Sequence, residues 1–277
     1  MKVVVLLCAA LLAVQTPPGY PDWDRAEPVE AYARRANLPP TLTLDLGGGV
    51  TWEGVLIPAG SFVMGAPPSE SRNEIEAMLE KPHTVRLTRP FYIGKYELTQ
   101  AQYERIMDAN PSVTKGSTLP VHNVSWQNAQ EFCQKASAKT GRRVDLPTDA
   151  QWEYACRAGT RTVYCSGNTI EDLTRVGWWA DNSGKQLHPV GELPANGFGL
   201  HDMHGNVREF VRDLFENTSL EDAVDPVGPA TGDPNNHVVR GGAYTANAAL
   251  AGNCRAAVRR PTEVLTITGF RIIVEVR

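Results

Sequence analysis

Apolar and polar positions alternate with a period near two in WEGVLIPAGSFVMG (52–65), HTVRLTRPFYIGKYELT (83–99) and the closing GFRIIVEV (269–276), and this alternation predicts strands. Elsewhere the period lengthens to that of a helix. Thr99 and Gln102 form a T-x-x-Q capping box ahead of QAQYERIMDA. From Ser125, the apolar positions Ala129, Phe132, Cys133 and Ala136 fall on one helical face, which runs to Gly141. Thr148 and Gln151 make a second capping box after Pro147, and DAQWEYACRA continues from it to Gly159. Between Gly159 and Val238 there is little periodicity and much Gly, Pro, Asn and Asp, so long ordered loops are expected there. The pattern predicts an α+β domain with three short helices and mixed strands, rich in loops.

The first residues follow another rule. Lys2 precedes the apolar run VVVLLCAALLAV, which matches the h-region of a signal peptide and is too short to span a bilayer. Residues 1–15 are therefore expected to be a signal peptide, the protein secreted or periplasmic, and no transmembrane anchor is expected. Cys8 lies too deep in the run for a lipid anchor. Residues 16–47 mix prolines with charges and one possible short helix, as in a tether or a wrapped extension, and the compact domain is expected from residue 48 to 277.

Composition narrows the function. The 277 residues are 42% hydrophobic and 21% charged with a net charge of −4, which describes a folded chain with no basic stripe for phosphates. Nucleic acid is not an expected partner. No P-loop, GxGxxG, GxSxG or HExxH occurs. His201 and His204 form an H-x-x-H, a weak zinc signal without further ligands. The tryptophans Trp126, Trp152, Trp178 and Trp179 suit a core better than a stacking platform.

Seven blocks in order carry a family resemblance: IPAGSFVMG (57–65), FYIGKYELTQAQY (91–103), PVHNVSWQNAQEFC (120–133), LPTDAQWEYACRAGT (146–160), HPVGELPANGFGLHDMHGNVREF (188–210), VVRGGAY (238–244) and GFRI (269–272). Together they resemble the formylglycine-generating enzyme, or sulfatase-modifying factor, family. The resemblance implies a variant of the C-type lectin fold. In active members it implies two cysteines shortly after R-G-G that bind Cu(I), activate dioxygen and oxidise a sulfatase cysteine, assisted by a serine. Aligned without gaps from Arg240, with Arg255 and Arg259 in register, the serine position holds Ala243 and the cysteine positions hold Ala246 and Ala251. Soft Cu(I) requires thiolates, so copper is not expected and no catalytic residue is assigned.

The resemblance also implies a calcium ion at DMHGNVREF, held by Asp202, Gly205, Val207 and Glu209; hard oxygen donors in a glycine turn suit Ca²⁺. Arg208 and Phe210 replace the aromatic residues usual beside that glutamate. The remaining cysteines Cys133, Cys156, Cys165 and Cys254 form an even set once Cys8 is removed, and the resemblance favours pairing Cys156 with Cys254.

Two functions remain. One is a non-catalytic binding or accessory module whose surface around Arg208, Tyr244, Asn247 and Asn253 holds a peptide, glycan or protein ligand. The other is an oxygen-dependent oxidoreductase of the same family, acting on a protein or small molecule by a route without the cysteine pair.

Overall fold

A computed structural model of the chain describes residues 19–25, 27–66, 70, 73–216, 221–246, 254–262 and 265–276. The expected signal peptide, residues 1–15, lies outside them, as do Ala251, Asn247 and Asn253. Among the described residues no helix is long and apolar enough to cross a membrane.

The predicted strand stretches form the centre of the molecule. A five-stranded sheet runs in the order β1 (Thr41–Gly47), β2 (Val50–Ile57), β5 (Phe91–Gly94), β12 (Ile273–Glu275) and β6 (Val144–Asp145). Alternation decides what each face buries. Trp52, Leu56, Tyr92 and Val274 enter one apolar cluster with Tyr103, Ile106 and Phe132, while Val55, Ile57, Phe91, Ile93 and Ile273 enter a second with Trp152 and Tyr154. The sheet thus separates two cores.

Helices α3 (Gln100–Met107), α4 (Trp126–Thr140) and α5 (Asp149–Arg157) are those expected, and each opens on a complete capping box, at Thr99 with Gln102, Ser125 with Asn128 and Thr148 with Gln151. On α4 the buried residues are Ala129, Phe132, Cys133 and Ala136, and Gly141 caps its end at φ 65°. Three further helices appear among the described residues: α1 (Val29–Ala36), α2 (Glu74–Leu79) and α6 (Ile170–Val176). The described part of segment 16–47 wraps the body. Tyr32 and Ala33 of α1 are buried in the first core and β1 pairs along β2, so the packed body begins before Gly48.

A four-stranded sheet, β10 (Arg260–Pro261), β9 (His237–Arg240), β7 (Arg208–Leu214) and β11 (Thr268–Phe270), carries the motifs of interest. β7 and β9 were not expected: β9 is buried throughout, and β7 buries the charged Glu209 and Asp213 along with Phe210 and Val211 while Arg208, Arg212 and Leu214 are half-buried, so polar and apolar positions do not alternate. In the third sheet, β4 (His83–Leu87) lies between β3 (Gly60–Met64) and the two-residue β8 (Ala223–Val224).

Candidate functional site

In the pairing of β7 with β9, Glu209 lies opposite Arg240. The chain then turns at Gly241 (φ 83°) and Gly242 (φ 74°), a left-handed pair that glycine adopts without strain. Backbone bonds fasten the turn: Gly205 N–H to Gly241 O (2.7 Å), Tyr244 N–H to Asn206 O (2.9 Å) and Ala180 N–H to Ala246 O (3.0 Å). Behind it Arg240, fully buried, donates to Asp149, to Glu153 (3.0 Å) and to the carbonyls of Ala256 (3.1 Å) and Val258 (3.3 Å). Arg259 takes the other oxygen of Asp149 (2.9 Å). Burial alone would raise the Asp149 carboxyl, but the two guanidiniums hold it below its ordinary value.

Of the positions expected to lack reactive groups, the two described, Ala243 and Ala246, are buried. Ala243 is 2% exposed, and Ala246 packs with Tyr164, Leu173, Trp179 and Cys254. Cys254 is fully buried, and burial pushes its thiol up to about 12, so it is not a thiolate at neutral pH.

The expected Cys156–Cys254 bond is not made: all four described cysteines are free. His204 stands between the two, its Nδ1 2.7 Å from the Cys254 carbonyl and its Nε2 3.6 Å from Cys156 Sγ. That Nε2 also accepts the Cys165 N–H (3.0 Å). Burial lowers His204 to about 4, so the ring is a neutral spacer whose two nitrogens are already committed within the protein. His201 is engaged separately, with Nδ1 on the Leu193 carbonyl (2.7 Å), and the described residues contain no metal-binding group of three or more His, Cys, Asp or Glu.

Arg208 is half-buried and lines a crevice of about 10 Å³ with Arg240 and Arg260, instead of standing at an open rim. Tyr244 is also half-buried; its carbonyl accepts from the Ser183 hydroxyl (3.1 Å), and the next residue, Thr245, is exposed, so the segment lies at the margin of the surface. Nearby, Trp178 stacks on His188 with ring centres 3.6 Å apart.

The residues of DMHGNVREF meet at a buried acidic centre. Glu209 accepts Arg271 Nη2 on Oε1 (2.6 Å) and both Arg271 Nε (2.7 Å) and Trp152 Nε1 (2.8 Å) on Oε2. Glu97 accepts the Val207 N–H (3.0 Å) and the Asn206 amide (2.7 Å). Asp202 accepts the Gly191 N–H (2.7 Å) on Oδ2, while its buried Oδ1 has no hydrogen-bond partner. Burial raises Asp202 to about 6 and Glu97 well above its ordinary value, with neighbouring carboxylates adding to the shift in Glu97. Gly205, at φ 98°, sits where a Cβ would lie 2.0 Å from the Trp178 carbonyl oxygen. Glu97, Asp202 and Glu209 thus surround the single Arg271 guanidinium, and the Asp202 oxygen without a partner is the one hard donor left uncommitted among these carboxylates. Glu97 and Arg271 were missed by motif reading; their signal is a charged residue within each of the apolar runs FYIGKYEL and GFRIIVEV.

Comparison with known proteins follows the same outline. The family model described as Sulfatase-modifying factor enzyme 1-like domain matches residues 50–276. The chain is 26% identical to the formylglycine-generating enzyme of Mus musculus over 87% of its own length and 80% of that protein. It is 31% identical to the chaperone protein LppX of Paenibacillus barcinonensis, over 43% of this chain and 61% of that one. Among solved structures, Treponema denticola variable protein 1 superposes with a TM-score of 0.76 at 26% identity, covering 86% of this chain and 99% of that protein. PvdO from Pseudomonas aeruginosa shares the fold, with a TM-score of 0.71 at 23% identity over 86% of this chain and 99% of that one.

Proposed function

The chain belongs to the sulfatase-modifying factor enzyme 1-like family, and from that premise we propose that it is an exported, non-catalytic binding or accessory member. The observation that carries the reading is the burial of Ala243 and Ala246, where active relatives present a serine and a copper-binding cysteine. Alanine supplies neither a ligand nor an electron, and the desolvated Cys254 is a single protonated thiol. Among its relatives are a chaperone and the inactive Cα-formylglycine-generating enzyme 2 of Mus musculus, 36% identical over 35% of this chain and 33% of that protein. Both favour a role in holding a partner over oxidising one.

The proposed ligand is a peptide, glycan or protein segment that meets the margin around Tyr244, with Arg208 behind it. A calcium ion belongs to the proposal as a structural element: Asp202, Gly205, Val207 and Glu209 would hold it, and it would supply the positive charge that the acidic centre lacks. Export rests on the apolar run after Lys2, and the compartment it implies is secreted or periplasmic.

The test is direct. The purified protein is incubated with a C-x-P-x-R peptide, Cu(I), reductant and oxygen, and the peptide is weighed by mass spectrometry. No formylglycine is the expected result; conversion with turnover defeats the proposal.

A further inference from the structure

Asp149, the aspartate that anchors Arg240, also lines a cavity of about 280 Å³ between the start of α5, the end of β7 and the loop that follows β8. Most of its wall is apolar, formed by Met64, Ala150, Ala223, Pro226 and Val227. Its charges are unevenly paired. Asp149 is taken by Arg240 and Arg259, and Arg259 in turn spends Nη1 on the Glu216 carbonyl (3.3 Å) and lies over the Phe215 ring. Asp213, 4% exposed and lining the same cavity, accepts the Asp149 N–H (2.9 Å) and is hydrogen-bonded to no guanidinium among the described residues. Glu216 and Glu221 add two further acids to the lining.

We propose that this cavity binds a small primary amine, with the ammonium group against Asp213 and an apolar body against Met64, Ala150, Ala223 and Val227. An anion would face four carboxylates there, with only the His83 ring and the already committed Arg259 to receive it. A neutral apolar guest would leave the Asp213 carboxylate with no cation hydrogen-bonded to it in a poorly hydrated place, since Arg212 and Arg259 act on it only through their charge. An ammonium satisfies both conditions, and its hydrogen bond to a carboxylate is of the stronger, charge-assisted kind. Burial raises Asp213 to about 7, with the Asp149 charge adding to it and Arg212 and Arg259 opposing it only in part, so the carboxylate is costly there and a cation beside it recovers part of that cost. The volume lies just below the ~300–1,000 Å³ of drug-sized pockets, which limits the guest to a single ring or a short chain. The site is independent of the margin at Tyr244.

The experiment titrates the full chain at pH 8 with benzylamine, which is protonated there, and with benzyl alcohol, its neutral counterpart, by calorimetry. Benzylamine is expected to bind at least about tenfold more tightly, a difference equivalent to ~1.4 kcal/mol. Asp213→Asn keeps an acceptor for the Asp149 N–H and removes the charge; it should abolish the preference for the amine. Ala223→Leu adds bulk to the apolar wall and removes no carboxylate, and it should weaken both probes. Equal binding of the two probes, absence of benzylamine binding at millimolar concentration, or unchanged affinity in Ala223→Leu overturns the proposal. The last of these reads the site even if Asp213→Asn does not fold.

Discussion

Replacing Arg271 with methionine should be among the most damaging single changes available to this protein. The guanidinium is 0% exposed and closes a fork on Glu209, with Nη2 at 2.6 Å and Nε at 2.7 Å from its two oxygens. It also donates to the carbonyls of Gly94 (3.0 Å) and His201 (3.1 Å). Arg271→Met keeps the volume of the stem but leaves the Glu209 carboxylate buried with only Trp152 Nε1 to receive. Breaking one half of a buried ion pair costs about 3–5 kcal/mol, and each stranded carbonyl adds ~1 kcal/mol or more. A total near 5–7 kcal/mol is comparable with the whole stability of an ordinary domain. The assay is urea unfolding of Arg271→Met, Glu209→Gln and the double variant. Because Glu209→Gln removes the stranded charge, the double variant should be more stable than Arg271→Met alone, a coupling that the pairwise cycle reads directly. An Arg271→Met loss under about 2 kcal/mol, or a double variant as unstable as the sum of the singles, refutes the view that this pair is mutually dependent.

Calcium should raise the melting temperature of the parent, and Asp202→Asn should remove that increment, since saturation a hundredfold above Kd is worth ~2.7 kcal/mol; identical melting in calcium and in chelator would show that the acidic centre takes no ion. Gly205→Ala should destabilise by ~3 kcal/mol or more, because the residue is held at φ 98° with the Trp178 carbonyl 2.0 Å from the added carbon; denaturant unfolding measures it, and a loss under 1 kcal/mol contradicts the packing described. Asp213 is raised to about 7 in the fold, so its protonated form is the stabilising one and its contribution is lost as pH rises from the ordinary carboxylate range through 7. Asp213→Asn should therefore gain on the parent between about pH 4 and 7, by up to ~4 kcal/mol, since each tenfold change in a proton's binding constant is worth ~1.4 kcal/mol; a difference constant with pH counts against a buried, unpaired carboxyl.

Much of the frame was legible because its signals are local. A Thr or Ser three residues before Gln or Asn defines where α3, α4 and α5 begin, whatever lies around them, and the alternation in 52–57 predicted the strand β2, though not that each of its faces meets a core. β7 and β9 were illegible for the opposite reason: HVVR is buried throughout and REFVRDL buries Glu209 and Asp213 along with Phe210 and Val211, so burial does not follow polarity. Their charged residues are tolerated only because partners arrive from far along the chain, Arg271 for Glu209 and Asp149 for Arg240. Such pairings have no sequence spacing to detect. The same limit applies to the cysteines: an even count invited a bond between Cys156 and Cys254, whereas the fold sets the His204 ring between them.

Arg240 holds its turn from behind, through side chains of α5 and carbonyls at Ala256 and Val258, with no contribution from the side chains at 243 and 246. Exchange among small side chains at those positions therefore leaves the fastening of the turn intact, whereas a bulky side chain has no room beside Trp179 and Cys254. A lineage could lose a reagent there, keep a functional scaffold, and later acquire another specificity without passing through an unfolded intermediate sequence. For the protein engineer the same separation marks the exposed Thr245, between the buried 243 and 246, as the place to display a chosen residue on a backbone whose geometry is fixed elsewhere.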